Sequence, residues 1–96
     1  MKLPKGMATM LNLTALKAFH EVARSGGITA AAAQLNVTDG AVRYQIRRLE
    51  EELGELLIIR SKRTLALTSA GSSLYNRLSN VFRDMERACH SLSSDS

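Results

Sequence analysis

A chain of 96 residues with 45% hydrophobic content can close one small core and little more. Its formal charge of +4, with arginine supplying 9 of 13 basic residues, points toward a polyanionic partner, because a guanidinium forks onto phosphate or guanine. A single cysteine, Cys89, excludes an intramolecular disulfide framework and a cysteine-based zinc site, and no apolar run reaches the roughly 18 residues of a membrane span.

Residues 1–12, with Pro4 and Gly6, read as a flexible leader that lacks the apolar segment of a secretion signal, which favours a reducing cytoplasm. From Leu13 the apolar residues Leu13, Leu16, Phe19 and Ala23 recur at spacings of 3, 3 and 4, one stripe of a helix that stops at Gly26-Gly27. Ile28 to Leu35 holds four consecutive alanines and predicts a short second helix able to approach another closely; Asn36 breaks it. Thr38 is the expected N-cap of a third helix over about residues 38–53. In that helix Val42, Ile46, Leu49 and Leu53 form a narrow inward stripe, while Gly40, Tyr44, Arg47 and Arg48 point away, flanked by Asp39 and Arg43. Gly54 is its stop signal. Over residues 56–68, "LLIIR" and "TLALT" enclose the polar "RSKR", the pattern of a β-hairpin with a cationic tip. Thr68 then caps a last helix in which Gly71, Leu74, Leu78, Val81, Met85, Ala88 and Leu92 step by 3, 4, 3, 4, 3, 4. A heptad seam of that length favours pairing with a second helix, the alternative being that it covers its own core. The closing "SLSSDS" reads as frayed.

Two short helices joined by a tight turn match the helix-turn-helix arrangement, whose second helix enters a DNA major groove. Thr38, Asp39 and Gly40 are small enough to bring backbone near base edges and phosphates, and a helix N-terminus carries partial positive charge. Arg43 reaches the same groove and can bond guanine O6 and N7. Arg47 and Arg48 then face phosphate and the "EEEL" carboxylates, Glu50 to Glu52, turn outward where the helix leaves the groove. Alternatively, Arg47 and Arg48 pair with Glu51 and Glu52 at i+4 on a solvated face. Arg60, Lys62 and Arg63 sit at the hairpin tip, placed for phosphates or a narrow minor groove, or simply for a charged turn. Thr29, with Ala30, either holds a phosphate at the start of the second helix or only initiates it. Cys89 beside the seam reads as a small packing residue, and His20 and His90 have no ligand partners at metal spacing. No clustered His, Cys or carboxylate set and no phosphate-cradling glycine loop suggests an enzyme.

From Leu13 to Gly71, through "ITAAAAQL", "QIRRLEEELG" and the closing Arg60, Leu67, Thr68, Ala70 and Gly71, the chain resembles the N-terminal domain of LysR-type transcriptional regulators. That resemblance implies a mainly α fold: a winged helix-turn-helix of three helices and a two-stranded wing over residues 13–68, then a linker and dimerisation helix over 69–96. It further implies a homodimer, with a tetramer in reach of a full-length protein, on a dyad-symmetric double-stranded DNA site in the cytoplasm at the nucleoid. A small-molecule effector is expected only on a C-terminal domain outside these residues, with no cofactor held here. The dimer contacts would come from Leu74, Leu78, Val81, Met85, Ala88 and Leu92. The chain departs from the family where Thr38-Asp39-Gly40 replaces a Ser-Gln-Pro type sequence, where Arg43 replaces a serine, at Tyr44, often basic or His, and at Ile58, usually phenylalanine. Asp39 is expected either to accept from a cytosine amino group or to brace Arg43 at i+4. The competing reading is a protein-interaction module that dimerises through residues 69–92 without productive DNA binding.

Overall fold

Asn12 opens the first helix: its side-chain Oδ1 accepts from the Ala15 N–H at 3.1 Å, so this residue of the expected leader is the N-cap. The computed structural model describes residues 12–60 and 65–94. Helix α1 runs Leu13–Ser25, α2 Ile28–Leu35 and α3 Asp39–Leu53; strands β1 (Ile58–Arg60) and β2 (Leu65–Leu67) follow, then α4, Ser69–Ser94. Residues 1–11, 61–64, which include the expected wing-tip residues Lys62 and Arg63, and 95–96 lie outside the described residues.

The turn between α2 and α3 holds Asn36, Val37 and Thr38. Asn36 adopts φ 61° and ψ 44°, a left-handed conformation that asparagine tolerates better than a branched residue, and its N–H closes on the end of α2. Val37 N–H donates to the Ala32 carbonyl at 3.0 Å, and the Thr38 hydroxyl accepts from Ala41 N–H at 3.1 Å. The turn thus satisfies both helix ends it joins.

The largest fully buried side chains are Phe19, Ile46, Leu57, Val22 and Val42, contributed by α1, α3 and the segment before the wing. Each such side chain is worth roughly 1.5–3 kcal/mol of burial. The alanine run divides: Ala31 and Ala32 are buried, letting α2 lie close to α1 and α3, while Ala30 and Ala33 face outward. The inward stripe of α3 is Val42, Ile46 and Leu49, with Leu53 half-buried at its end.

The wing is antiparallel, pairing Ile58 with Leu67, Ile59 with Ala66 and Arg60 with Leu65. Ile58 is buried in the core and Ile59 exposed, as period-2 alternation requires. The segment leading into β1 is tied to both neighbouring helices. Glu50 of α3 turns inward and accepts from the N–H groups of Leu57 at 2.9 Å and Ile58 at 3.3 Å, which corrects the expectation that all three carboxylates point outward. With those two N–H groups as donors, the half-buried carboxylate is compensated. From the other side, the Thr68 hydroxyl donates to Leu56 O at 2.6 Å and accepts from Gly71 N–H at 2.9 Å, capping α4.

At Gly71 the two segments touch. A Cβ built there would lie 2.0 Å from the Leu57 carbonyl oxygen, so only glycine lets the first turn of α4 pass. Farther along α4, Leu74 packs on the core and Leu78, 8% exposed, belongs to it. Beyond them His20 of α1 is wedged between Tyr75 and Phe82, both ring centroids at 5.1 Å, and its Nε2 lies 3.0 Å from Ser79 Oγ. Ser79 spends its proton on the Tyr75 carbonyl at 2.9 Å, so His20 is the donor, through Nε2–H. Burial pushes the His20 imidazole below its usual range; Glu21 pulls it upward and Arg24 pushes it down.

Candidate nucleic-acid interface

The outer face of α3 is built by exclusion. With Val42, Ile46 and Leu49 committed to the core, the helical period turns Gly40, Arg43, Tyr44 and Arg47 outward, and all four are exposed. Tyr44 leaves 54% of its surface open, a large share for a ring that could have packed. Arg43 and Arg47 form no ion pair among the described residues, whereas Arg48 meets Glu52 at 3.6 Å. The i+4 pairing considered for both arginines is therefore made by Arg48 alone. At that separation on an exposed face it is worth about 0.3–0.5 kcal/mol, too little to sequester the guanidinium.

The N-terminal edge of this face is organised around Asp39. Its Oδ2 accepts from the Thr29 hydroxyl at 2.7 Å, joining the first turns of α2 and α3. The structure thus gives Asp39 a partner other than Arg43, and bracing at i+4 is not the arrangement found. Thr29 has one hydroxyl proton, now directed at Asp39, so what it can still offer an anion is backbone N–H. Those N–H groups are open, because Gly27 caps α2 with no side-chain bond. Thr38 is exposed with its oxygen engaged in capping, and a Cβ added at Gly40 would meet nothing nearer than Thr38 Oγ1 at 4.0 Å.

Arg60 ends β1 and is exposed; Lys62 and Arg63, expected beside it, lie outside the described residues. At the far end of α3, a shallow depression is lined by Arg47, Glu50, Glu51, Gly54, Glu55 and Leu56. The three carboxylates gather on the side beyond Arg47, so a phosphate is disfavoured past that residue and the cationic character of α3 lies in its first three turns. Among the described residues no group of three or more His, Cys, Asp or Glu side chains could hold a metal ion, and no helix is long and apolar enough to cross a membrane.

The expected seam separates into two parts. Leu78 packs within its own core, which corrects its assignment to a dimer surface, and Leu74 is half-buried against the same core. Val81 at 49%, Met85 at 46% and Leu92 at 77% remain exposed, with Ala88 between them.

Sequence reasoning passed over Glu50 and Gln45. Glu50 stands in a run of three glutamates, and only the return of the chain at Leu57 distinguishes it. Gln45 has a buried Oε1 with no hydrogen-bond partner among the described residues, on the flank between the inward stripe and the outward face.

Residues 13–72 match the family model described as bacterial regulatory helix-turn-helix protein, lysR family. The HTH-type transcriptional regulator BlaA of Proteus vulgaris is 46% identical over 81 residues, covering 84% of this chain and 28% of that protein. The curated relatives are much longer: the chain spans less than a third of three that it matches, 30%, 28% and 26% of their lengths. Among solved structures, the BenM DNA-binding domain in complex with catB site 1 DNA superposes with a TM-score of 0.81 at 26% identity, covering 88% of this chain and 93% of that one. The CbnR DNA-binding domain in complex with DNA gives a TM-score of 0.76 at 30% identity, covering 90% and 100%. With the wing, the turn and the capped third helix all in place, the chain belongs to the lysR family of bacterial regulatory helix-turn-helix proteins.

Proposed function

We propose that this chain is the DNA-binding part of a bacterial transcription regulator and binds double-stranded DNA sequence-specifically as a homodimer. The observation that carries the reading is the outer face of α3, where Arg43 and Arg47 stand exposed without carboxylate partners among the described residues, beside an exposed Tyr44. Helix α3 lies in the major groove: Thr38, Asp39, Gly40 and Arg43 meet base edges, and Tyr44, Arg47 and Arg48 meet backbone. Thr29 and the open N–H groups of α2 hold a flanking phosphate, and Arg60, Lys62 and Arg63 of the wing reach backbone or minor groove. Val81, Met85, Ala88 and Leu92 pair α4 with its copy, which sets two α3 helices about 34 Å apart on a dyad-symmetric site. The protein works in the cytoplasm, at the nucleoid, and any effector acts through a further domain. A module that only dimerises through α4 would leave the unpaired arginines of α3 without a role.

Titration of labelled duplexes at several salt concentrations tests this. Affinity should fall steeply with salt on every duplex, and a selected dyad site should bind at least a hundredfold more tightly than random sequence. Equal affinity for both would defeat the reading.

A further inference from the structure

Asp39 places a carboxylate at the first turn of α3, where a polyanion would approach, and the fold holds it in one orientation. Thr29 Oγ1 donates to Oδ2 at 2.7 Å, and Oδ1 is left without a donor among the described residues. Arg43, one turn on, is the obvious competitor for that carboxylate, and an ion pair between them would remove both from contact with bases. No such pair forms. The hydroxyl, anchored on α2, occupies one oxygen of the half-buried Asp39 carboxylate, while Arg43 stands one turn on, exposed and unpaired among the described residues. Asp39 also sits in the first turn of its own helix, close to the start of α2, where partial positive charge offsets the presence of phosphates.

Resting on the DNA-binding reading above, we propose that the Thr29–Asp39 pair makes α3 a reader of cytosine: Oδ1 accepts from the exocyclic amino group of one cytosine per half-site, while Arg43 is left to guanine. The four major-groove edges sort themselves against a single carboxylate oxygen that has no donor of its own among the described residues. Guanine offers two acceptors and is repelled, and thymine offers an acceptor beside a methyl group. Adenine offers an amino donor flanked by the N7 lone pair. Cytosine offers an amino donor flanked only by C5–H, so it alone satisfies the carboxylate without an adjacent repulsion.

The test is selection of bound sites from a random duplex pool with the full chain, its Asp39→Asn variant and its Thr29→Val variant, folding being checked by circular dichroism. Asp39→Asn keeps the shape and leaves the Thr38 cap in place, but an amide bonds adenine N6 and N7 together. The expected result is a dyad consensus with one strongly preferred cytosine per half-site. In Asp39→Asn that position turns to adenine, affinity for the cytosine site falls on the order of tenfold, and the other positions keep their preference. Thr29→Val should keep cytosine but weaken its preference several-fold, and relax the neighbouring guanine as the released carboxylate swings onto Arg43. The proposal is overturned if Asp39→Asn selects the same base as the parent at every position, or if it tightens all duplexes equally, which would make Asp39 a source of repulsion only. If the folded parent enriches no sequence at all, the DNA-binding reading itself fails and takes this one with it.

Discussion

Leu78 and Leu92 stand two heptads apart at the same seam position of α4, yet Leu78 is 8% exposed and Leu92 is 77% exposed. The first half of the helix, from the Gly71 contact to Phe82, lies against α1 and the segment entering the wing; in the second half Met85, Ala88 and Leu92 are exposed. At about 1.5 Å per residue the 26 residues of α4 extend about 39 Å, longer than a three-helix core of this size can cover. One periodic pattern therefore serves two purposes, core packing as far as Phe82 and open surface beyond it. His20 marks that boundary, since Ser79 and Phe82 are its farthest partners on α4.

The two halves should respond in opposite ways to mutation. Leu78→Asp has the largest expected effect: a charge placed in the core without a partner costs about 4 kcal/mol or more, so urea denaturation should find little folded protein at any concentration. If the variant stays folded and merely becomes monomeric, the division of the seam is wrong. Gly71→Ala comes next, at about 3 kcal/mol, because the obstacle to the new methyl group is the backbone of Leu57 rather than a side chain that can move. A shift of the urea midpoint smaller than that of an exposed glycine such as Gly40→Ala would refute the close approach. Met85→Ala and Leu92→Ser fall in the open half and should change the stability of the monomer fold by no more than about 0.5 kcal/mol, while sedimentation shows weaker self-association.

The smallest effect belongs to the boundary. His20 binds a proton less readily when folded than when unfolded, so its contribution to stability is complete above the unfolded value of about 6.5. It is lost as pH falls through that value toward the depressed folded one, and is flat below it. Urea midpoints measured between pH 7.5 and 5.5 should decline in the parent and decline less in His20→Gln, which can still donate to Ser79. Identical slopes would show that the imidazole does not titrate against the fold.

Most of the framework was legible beforehand because it rests on local rules. Thr38 and Thr68 cap where their hydroxyls precede helical periodicity, Asn36 takes the left-handed turn, and the apolar runs either side of a polar tip mark the wing. The outward set on α3 followed from the inward one, since a helix that commits Val42, Ile46 and Leu49 has little choice about Arg43 and Arg47. What could not be read were contacts between residues far apart in sequence or on different elements. Asp39 was expected to meet a cytosine or Arg43, and the partner the fold gives it, Thr29, lies ten positions back on another helix. Glu50 looked like its neighbours Glu51 and Glu52 until the chain returned over it. Leu74 and Leu78 carried the same heptad signal as Met85 and Leu92, and periodicity reports which face is apolar without naming what lies against it.

The sequence by itself determined the order of elements, the caps of α3 and α4 and the cationic face of α3, because propensity, capping and helical period act within a few residues. Only the tertiary structure decided which carboxylate is held by Thr29, which glycine admits a crossing backbone and where the seam of α4 passes from core to open surface. Those outcomes depend on distances between elements, and such distances are set by the packing of the whole core.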